Sequence, residues 1–378
     1  MQMFAAALFW GAVFLVQNLN WDAGVSKAPV LLALLIGALW LVHRTTSPSP
    51  LKPAEPSHAL VALAGFLLLA QLIYFGLRIA HPHLIDMATT TLEAGRAMIQ
   101  GQNPYTLPID SEAAGLGAAP EFQGYKYLPL MPAIYLPLGL AWGARGVLAT
   151  NLLLLAAALG LMLRLGRDAA SPRAGLVAAL LYLSIPLAAQ QVLVKGSTDL
   201  AAVVPLLLGF AILERRPGWA GFCVGLSISA KLFPGALFLP CLLPTSWPER
   251  RHYGLGVALG LLPILPYVFL SPTALYDNIV LFNAIRAPDS TSWLAAVPSA
   301  ALAARAAFIA LFIAVTVYVG WRAPGIASRC GLGAALALGV ILAGPAAHHN
   351  YQLWWLPFYC VTLAAATCAT SSLALTRF

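Results

Sequence analysis

The sequence predicts an all-α polytopic membrane protein, and three observations carry that expectation. Only 9% of the 378 residues are charged while 60% are hydrophobic, whereas an ordinary soluble domain is roughly 25% charged. Apolar runs recur from one end of the chain to the other, with a mean hydropathy of +0.82. The polar stretches between them are too short to fold a soluble domain of useful size. The lipid bilayer is therefore the first partner. In a layer without water every backbone polar group must be satisfied within the protein, so helices are the expected element.

The elements follow in order. The run 3–19 lacks a basic leading segment and a small-x-small cleavage site, so it reads as a retained helix rather than a signal peptide. With the run 28–42 and the loop after it, it makes an amino-terminal hairpin unit, 1–57. The remainder, 58–378, opens with the run 59–80 and a long polar stretch, 81–127. The run 128–142 is short for a span, which needs roughly 20 residues. It also holds Pro129, Pro132 and Pro137, which break a regular helix. It is expected as a re-entrant or interfacial segment on the outer side, tolerable only against protein or a wet cavity. The runs 146–163, 174–193 and 199–213 come next. Two short runs, 218–230 and 232–243, then meet at Lys231, and 254–270, 297–319, 330–345 and 353–372 complete the chain.

Charge fixes the sidedness. If every run crossed, the two loops 43–58 and 164–173, both carrying basic residues, would lie on opposite faces. Leaving 128–142 out gives about 12 transmembrane helices with both termini cytoplasmic. The 21 Lys and Arg then divide into twelve inside and nine outside, and ERRPG and PERRH are the clearest inside loops. The net charge of +8 is a matter of sidedness and does not point to nucleic acid. Nine acids, Asp22, Asp86, Glu93, Asp110, Glu112, Glu121, Asp199, Asp277 and Asp289, fall outside, a gathering expected where a site opens to that face. The five cysteines lie in or at the ends of apolar runs without a CxxC pair, which reads as small buried hydrophobes.

Several polar residues stand out against this background. Asp86 precedes MATTTLEAGRAMIQ, which has helical spacing and suits a short amphipathic helix on the outer interface. Asp86 is either the cap of that helix or a carboxylate at a cavity mouth, available as a general base. GQNPY reads as a stop and turn. In EFQGYKYLPLMP, Lys126 lies between two tyrosines and is either an interfacial anchor or a cation facing an anionic ligand. In KGSTD, Asp199 begins a helix as its cap, and Lys195 stands beside it as its natural partner. Lys231, at the break in AKLFP, needs a partner if buried; it either snorkels or binds a phosphate. His348 and His349 lie at the outer end of the last helix, where neighbours face different ways. No HExxH, DxD or paired-carboxylate spacing occurs, so no metal and no other cofactor is expected.

With the motifs taken in order (Asp86, GQNPY, YKYLPL, KGSTD, AGFCVGLSISAKLFP and a late HH pair), the chain resembles the GT-C membrane glycosyltransferases over about residues 75 to 355. Among them it resembles glycosyltransferase family 87, the polyprenyl-phosphate-mannose-dependent group. The resemblance implies a GT-C-type bundle with an outer-face loop helix. It implies that Asp86 deprotonates an acceptor hydroxyl, which attacks the anomeric carbon of a polyprenyl-phosphate sugar with inversion. Lys231, His348, His349, Lys126 and Tyr127 would then serve the donor's phosphate or sugar. Asn103, Tyr105, Lys195, Asp199 and Arg96 would support the site. The expected partners are the polyprenyl-phosphate sugar and a lipid or glycan acceptor, met on the extracytoplasmic face of the cell membrane. A transporter or flippase of a lipid-linked or small polar substrate is the rival reading, since it too needs intramembrane charge and broken helices.

Overall fold

The computed structural model describes residues 35–37, 39, 58–79, 82, 84–110 and 120–375. The amino-terminal hairpin expected over 1–57 lies almost wholly outside the described residues, as does 111–119 of the long polar stretch. Among the described residues the secondary structure is helical throughout.

The chain enters through α1 (His58–Ile79), whose Phe66, Leu69 and Ile73 are exposed to the surroundings. It turns into α2 (Asp86–Ile99). A long loop then leads to α3 (Leu130–Trp142), and a turn at Gly143 reverses the chain into α4 (Ala144–Ala169). Ser171 caps α5 (Pro172–Leu183) by accepting the Ala174 N–H, with Pro172 at the first position where no N–H is needed. A short helix, Pro186–Ala189, runs into a π-turn over Gln190–Val194. Then come α6 (Leu200–Ile212), α7 (Pro217–Ala230), α8 (Leu232–Phe238) and α9 (Trp247–Gly260). After α9, helical pieces reach Ile285, with a second π-turn over Asp277–Leu281. The bundle closes with α10 (Ala301–Arg322), α11 (Ile326–Ala343) and α12 (Gln352–Leu375).

By length and composition, four stretches among the described residues can cross a membrane: Ala144–Ala169, Trp247–Leu270, Pro298–Arg322 and Ile326–Ala343. Others are much shorter. α6 has 13 residues and α7 has 14, about 20 Å each at 1.5 Å per residue, against a hydrocarbon layer of about 30 Å. Asp199 stands immediately before α6 and Lys231 immediately after α7, so the two charges share one end of this helix pair.

Two features hold the packing. α7 and α9 run side by side in the same direction on glycines. A Cβ on Gly221 would lie 2.0 Å from the Tyr253 carbonyl oxygen, and one on Gly225 would lie 2.3 Å from that of Val257. Small residues at such spacing let two backbones touch where lipid offers no hydrophobic drive. Below the ion pair, Phe210, Phe238 and Phe358 are fully buried, with ring centroids 4.3 to 6.1 Å apart. The far end of the bundle is tied by arginines. Arg164 donates to the Ala211 carbonyl at 3.0 Å, Arg250 to that of Gly320 at 2.9 Å, and Arg329 to those of Cys241 and Leu243 at 2.9 Å.

The Pro-rich segment departs from expectation. It was expected to be broken; instead 130–142 is a regular helix with Pro137 inside it. Pro129 stands at the N-cap and Pro132 in the first turn, where the missing N–H groups would have had no intrahelical partner. α3 packs antiparallel to α4: Tyr135 donates to Asn151 at 2.5 Å, and Gly146 lies against Leu138. It therefore rises from the cavity floor to the Gly143 turn.

Candidate active site

Asp86 is the first residue of α2, and its placement is set by the chain on both sides. Ile85 is extended (φ −77°, ψ 163°), and its N–H donates to the Lys195 carbonyl at 2.9 Å. Met87, Ala88, Thr91, Leu92 and Ala94 are buried, and Leu92 meets Gly139 of α3. Thr91 exchanges a hydrogen bond with the Tyr125 hydroxyl at 3.0 Å. With its buried face fixed, α2 presents Asp86 outward. Of the two readings of Asp86, the cap is not the one the structure shows: Ile85 occupies the cap position, and Asp86 is the first helical residue. Among the described residues its carboxylate has neither an ion pair nor a hydrogen bond, and it lines a cavity of about 850 Å³.

The turn after the first π-turn supplies the opposite wall. Asn151 of α4 donates to the Val192 and Ser197 carbonyls at 2.8 and 3.0 Å. Gly196, at φ 71°, carries the chain past Leu84, whose Cδ2 would lie 2.6 Å from any Cβ there; a left-handed backbone with no room suits glycine alone. This rigid turn points Lys195 into the cavity, again with no ion-pair partner among the described residues.

Asp199 stands at the N-cap position of α6 as expected, but its carboxylate is used elsewhere, and Lys195 is not its partner. Its side chain makes no cap bond. It is fully buried and accepts from Lys231 Nζ at 2.5 Å, Ser197 Oγ at 2.6 Å, Asn350 Nδ2 at 2.9 Å and Trp354 Nε1 at 2.5 Å. Four donors occupy the carboxylate, which leaves it no capacity to take a proton from a substrate. It joins the loops before α6, before α8 and before α12. Lys231 breaks the helix there as expected, with φ −148° and ψ 119° between α7 and α8. Its ammonium is enclosed by Tyr127, Trp354 and Tyr351, at 4.8, 5.2 and 5.7 Å from the ring centroids. The residue lines the cavity, but its charge is already matched by Asp199.

A second charged cluster faces this one. Asp289 accepts from Arg286 at 2.8 Å and from the Thr291 N–H and hydroxyl at 2.9 and 2.5 Å, and His348 Nε2 lies 3.3 Å away. The carboxylate thus acts as a brace, holding Arg286 and His348 at the cavity wall. Lys126 completes the set. It donates to the Phe122 and Gly124 carbonyls and to Asn278 Oδ1 at 2.7 Å, lies 3.9 Å from Asp110, and sits over the Phe282 ring. Burial pulls its ammonium down to about 8, against which Asp110 acts.

The structure thus brings Asp86, Lys126, Tyr127, Lys195, Lys231, His348 and His349 to one cavity, with Asp199 directly behind. Both histidines reach it because they precede α12: His348 is extended and His349 begins a single 3-10 turn. Asn103, Tyr105 and Arg96 are not part of its lining. Asn103 donates to Ser271 and accepts the Tyr105 N–H, and the buried Tyr105 donates to the Tyr127 carbonyl, so both brace the loop beneath Tyr127. Arg96 is exposed near the end of α2. Arg286, Phe282 and Gln191 line the cavity without having been expected there, and Asp289, expected only as one of the outer acids, lines it too. RAPDS at 286–290, a basic and an acidic residue in an outer loop, was the available signal for two of them. Among the described residues no three His, Cys, Asp or Glu side chains are grouped as metal ligands.

No protein-family model matches the chain, and no curated protein does. Two solved structures share its fold. ArnT from Cupriavidus metallidurans bound to undecaprenyl phosphate is 16% identical, with a TM-score of 0.52 over 84% of this chain and 60% of that one. The same protein in the apo state is 15% identical, with a TM-score of 0.54 over 83% of this chain and 60% of that one. The chain therefore spans about 60% of the length of those proteins. At this identity the likeness is one of fold: a bundle of helices, as the sequence predicts.

Proposed function

We propose that the chain is an integral membrane glycosyltransferase that moves a hexose from a polyprenyl-phosphate donor to an acceptor hydroxyl, with inversion. One observation carries the reading: an uncommitted carboxylate, Asp86, shares a single cavity with several cations whose positions are fixed by their own partners. In the step, the acceptor oxygen bonds to the anomeric carbon while the carbon–phosphate oxygen bond breaks. The hydroxyl proton passes to Asp86, and the electron pair leaves with the polyprenyl monophosphate. Charge grows on the phosphate as the bond breaks, so fixed cations there stabilise the transition state more than the ground state. Arg286 is suited to that role, because Asp289 holds its guanidinium at the cavity wall beside His348; Lys126 adds positive charge to the same wall, its three N–H groups being taken by Phe122, Gly124 and Asn278. Lys231, neutralised by Asp199, positions Tyr127, Tyr351 and Trp354 as sugar-facing surfaces.

Half-exposed Leu232 and exposed Phe233 on the cavity floor offer apolar contact to the first isoprene units, and the ArnT structure with undecaprenyl phosphate supports a lipid phosphate as ligand. The motifs favour mannose as the sugar and a lipid or glycan as the acceptor. The cavity lies at the end opposite Arg164, Arg250 and Arg329, and the inside preference of such arginines supports the extracytoplasmic face for it. The test is transfer by purified protein in lipid nanodiscs, supplied with polyprenyl-phosphate mannose, polyprenyl-phosphate glucose and a membrane-lipid extract. Release of lipid monophosphate together with a glycosylated product is expected. Uptake of the substrate into sealed vesicles without any bond breaking would replace this reading with the transporter.

A further inference from the structure

The cavity wall contains a buried polar side chain that neither the ion pairs nor the proposed chemistry uses. Gln191 is 2% exposed, lines the cavity, and its Nε2 has no hydrogen-bond partner among the described residues. It lies in the π-turn Gln190–Val194, a local widening of the helix that often marks functional positions. The backbone around it is fully engaged. Its carbonyl accepts the Ser197 N–H at 2.8 Å, Lys195 donates to the Gln190 carbonyl at 3.0 Å, and Asn151 holds the Val192 and Ser197 carbonyls. The side chain is thus held at the cavity wall, its amide N–H just beneath the surface, by a turn with little freedom that is stitched to the Asp86 segment through the Ile85 to Lys195 bond.

An unmatched buried amide N–H costs about 1–3 kcal/mol, and such a group is tolerated where a ligand oxygen completes it. We infer that Gln191 is a sugar-reading residue: its Nε2 donates to one ring hydroxyl of the transferred hexose and selects sugars that place an oxygen there. This rests on the glycosyltransferase reading above. The position follows from the displacement geometry. The base, the anomeric carbon and the leaving phosphate lie roughly in line, with the phosphate towards Arg286 and His348. A wall residue on the Asp86 and Lys195 side then faces the ring between them. The direction of the bond also matters. A donor amide requires an acceptor oxygen, so a hydrogen or methyl at that carbon leaves the N–H unpaired at the transition state, the situation in which polar sites discriminate most strongly.

The experiment compares wild type and Gln191→Leu on polyprenyl-phosphate mannose and on its 2-, 3-, 4- and 6-deoxy analogues, reading kcat/KM and thermal unfolding. Gln191→Leu is expected to lower kcat/KM on the parent donor by roughly 10–100-fold, the factor that a lost hydrogen bond in a dry site carries. One deoxy donor should cost wild type the same factor and cost Gln191→Leu nothing more, while the other deoxy donors add their losses in both proteins. The unfolding temperature of the variant should equal or exceed that of wild type, because an unpaired buried donor has been removed; a structural amide would lower it. Full kcat/KM in Gln191→Leu, or losses that add for every deoxy donor, overturns the inference and leaves the glycosyltransferase reading standing. A wild-type protein that transfers no sugar from any of these donors overturns both.

Discussion

At the scale of single residues, the two aspartates of the site have opposite duties, and burial decides which is which. Asp199 is saturated by four donors, so it can only hold. Asp86 is exposed and uncommitted, so it can react. Replacing Asp199 with Asn would leave the Lys231 ammonium buried without its counter-charge, a change that costs about 3–5 kcal/mol in buried pairs. A large fall in the unfolding temperature in detergent is expected, with partial recovery when Lys231→Met is added. Equal stability of Asp199→Asn and wild type would mean that the pair is not closed. Lys126 makes a pH prediction. Its ammonium is lowered to about 8, chiefly by burial, so its charge is present below that pH and lost as the pH rises through it. Affinity for polyprenyl monophosphate should therefore weaken between about pH 7 and 9, and Lys126→Arg, which stays charged, should flatten that decline. A decline of the same slope in Lys126→Arg would assign the titration to another group.

At the scale of elements, the bundle depends on where backbones touch. A side chain at Gly221 must displace the Tyr253 carbonyl, whereas Gly254 has open space around its Cβ position. Gly221→Val is expected to abolish stable α7 and α9 packing and reduce folded yield. Gly254→Ala should be neutral or add up to ~1 kcal/mol from helix propensity. Thermal unfolding of the two side by side checks the contrast, and equal effects would contradict the packing. Much of this level was legible in the sequence. The helix opening at Asp86, the break at Lys231 and the late His pair were each marked by polar residues inside apolar surroundings. What was not legible required knowledge of distant neighbours. Asp199 looked like the partner of Lys195, its nearest lysine in sequence; its true partner lies 32 positions away, across two helices. The prolines of 128–142 looked disruptive because proline counts against a helix on average, yet only Pro137 occupies an interior position. Arg286 and Asp289 form no motif of their own and acquire meaning only when His348 closes on them.

At the scale of the whole molecule, the arrangement is a packed half and an open half. Beneath Asp199 and Lys231 lie buried aromatic rings and short helices joined by close glycines; above them is a polar cavity with an apolar floor. A transporter needs a passage that opens alternately to both sides; in this structure the Phe210, Phe238 and Phe358 rings are packed together on the side away from the cavity. An enzyme that takes a lipid-borne sugar needs only one open side. The likeness to ArnT extends over 84% of this chain and 60% of that protein, and it is a likeness of fold. The exposed apolar residues of α9 and α10, such as Leu259, Leu302, Ile309 and Trp321, mark where that body meets lipid. The whole reading comes down to whether Asp86 does chemistry. The direct test is to measure, on the same preparations of wild type and Asp86→Asn, both binding of a polyprenyl-phosphate hexose and its single-turnover transfer. Retained binding with transfer slowed by about 10²–10⁴-fold is the expected result, the range a general base contributes. Undiminished transfer by Asp86→Asn would contradict the assignment and move the base elsewhere in the cavity.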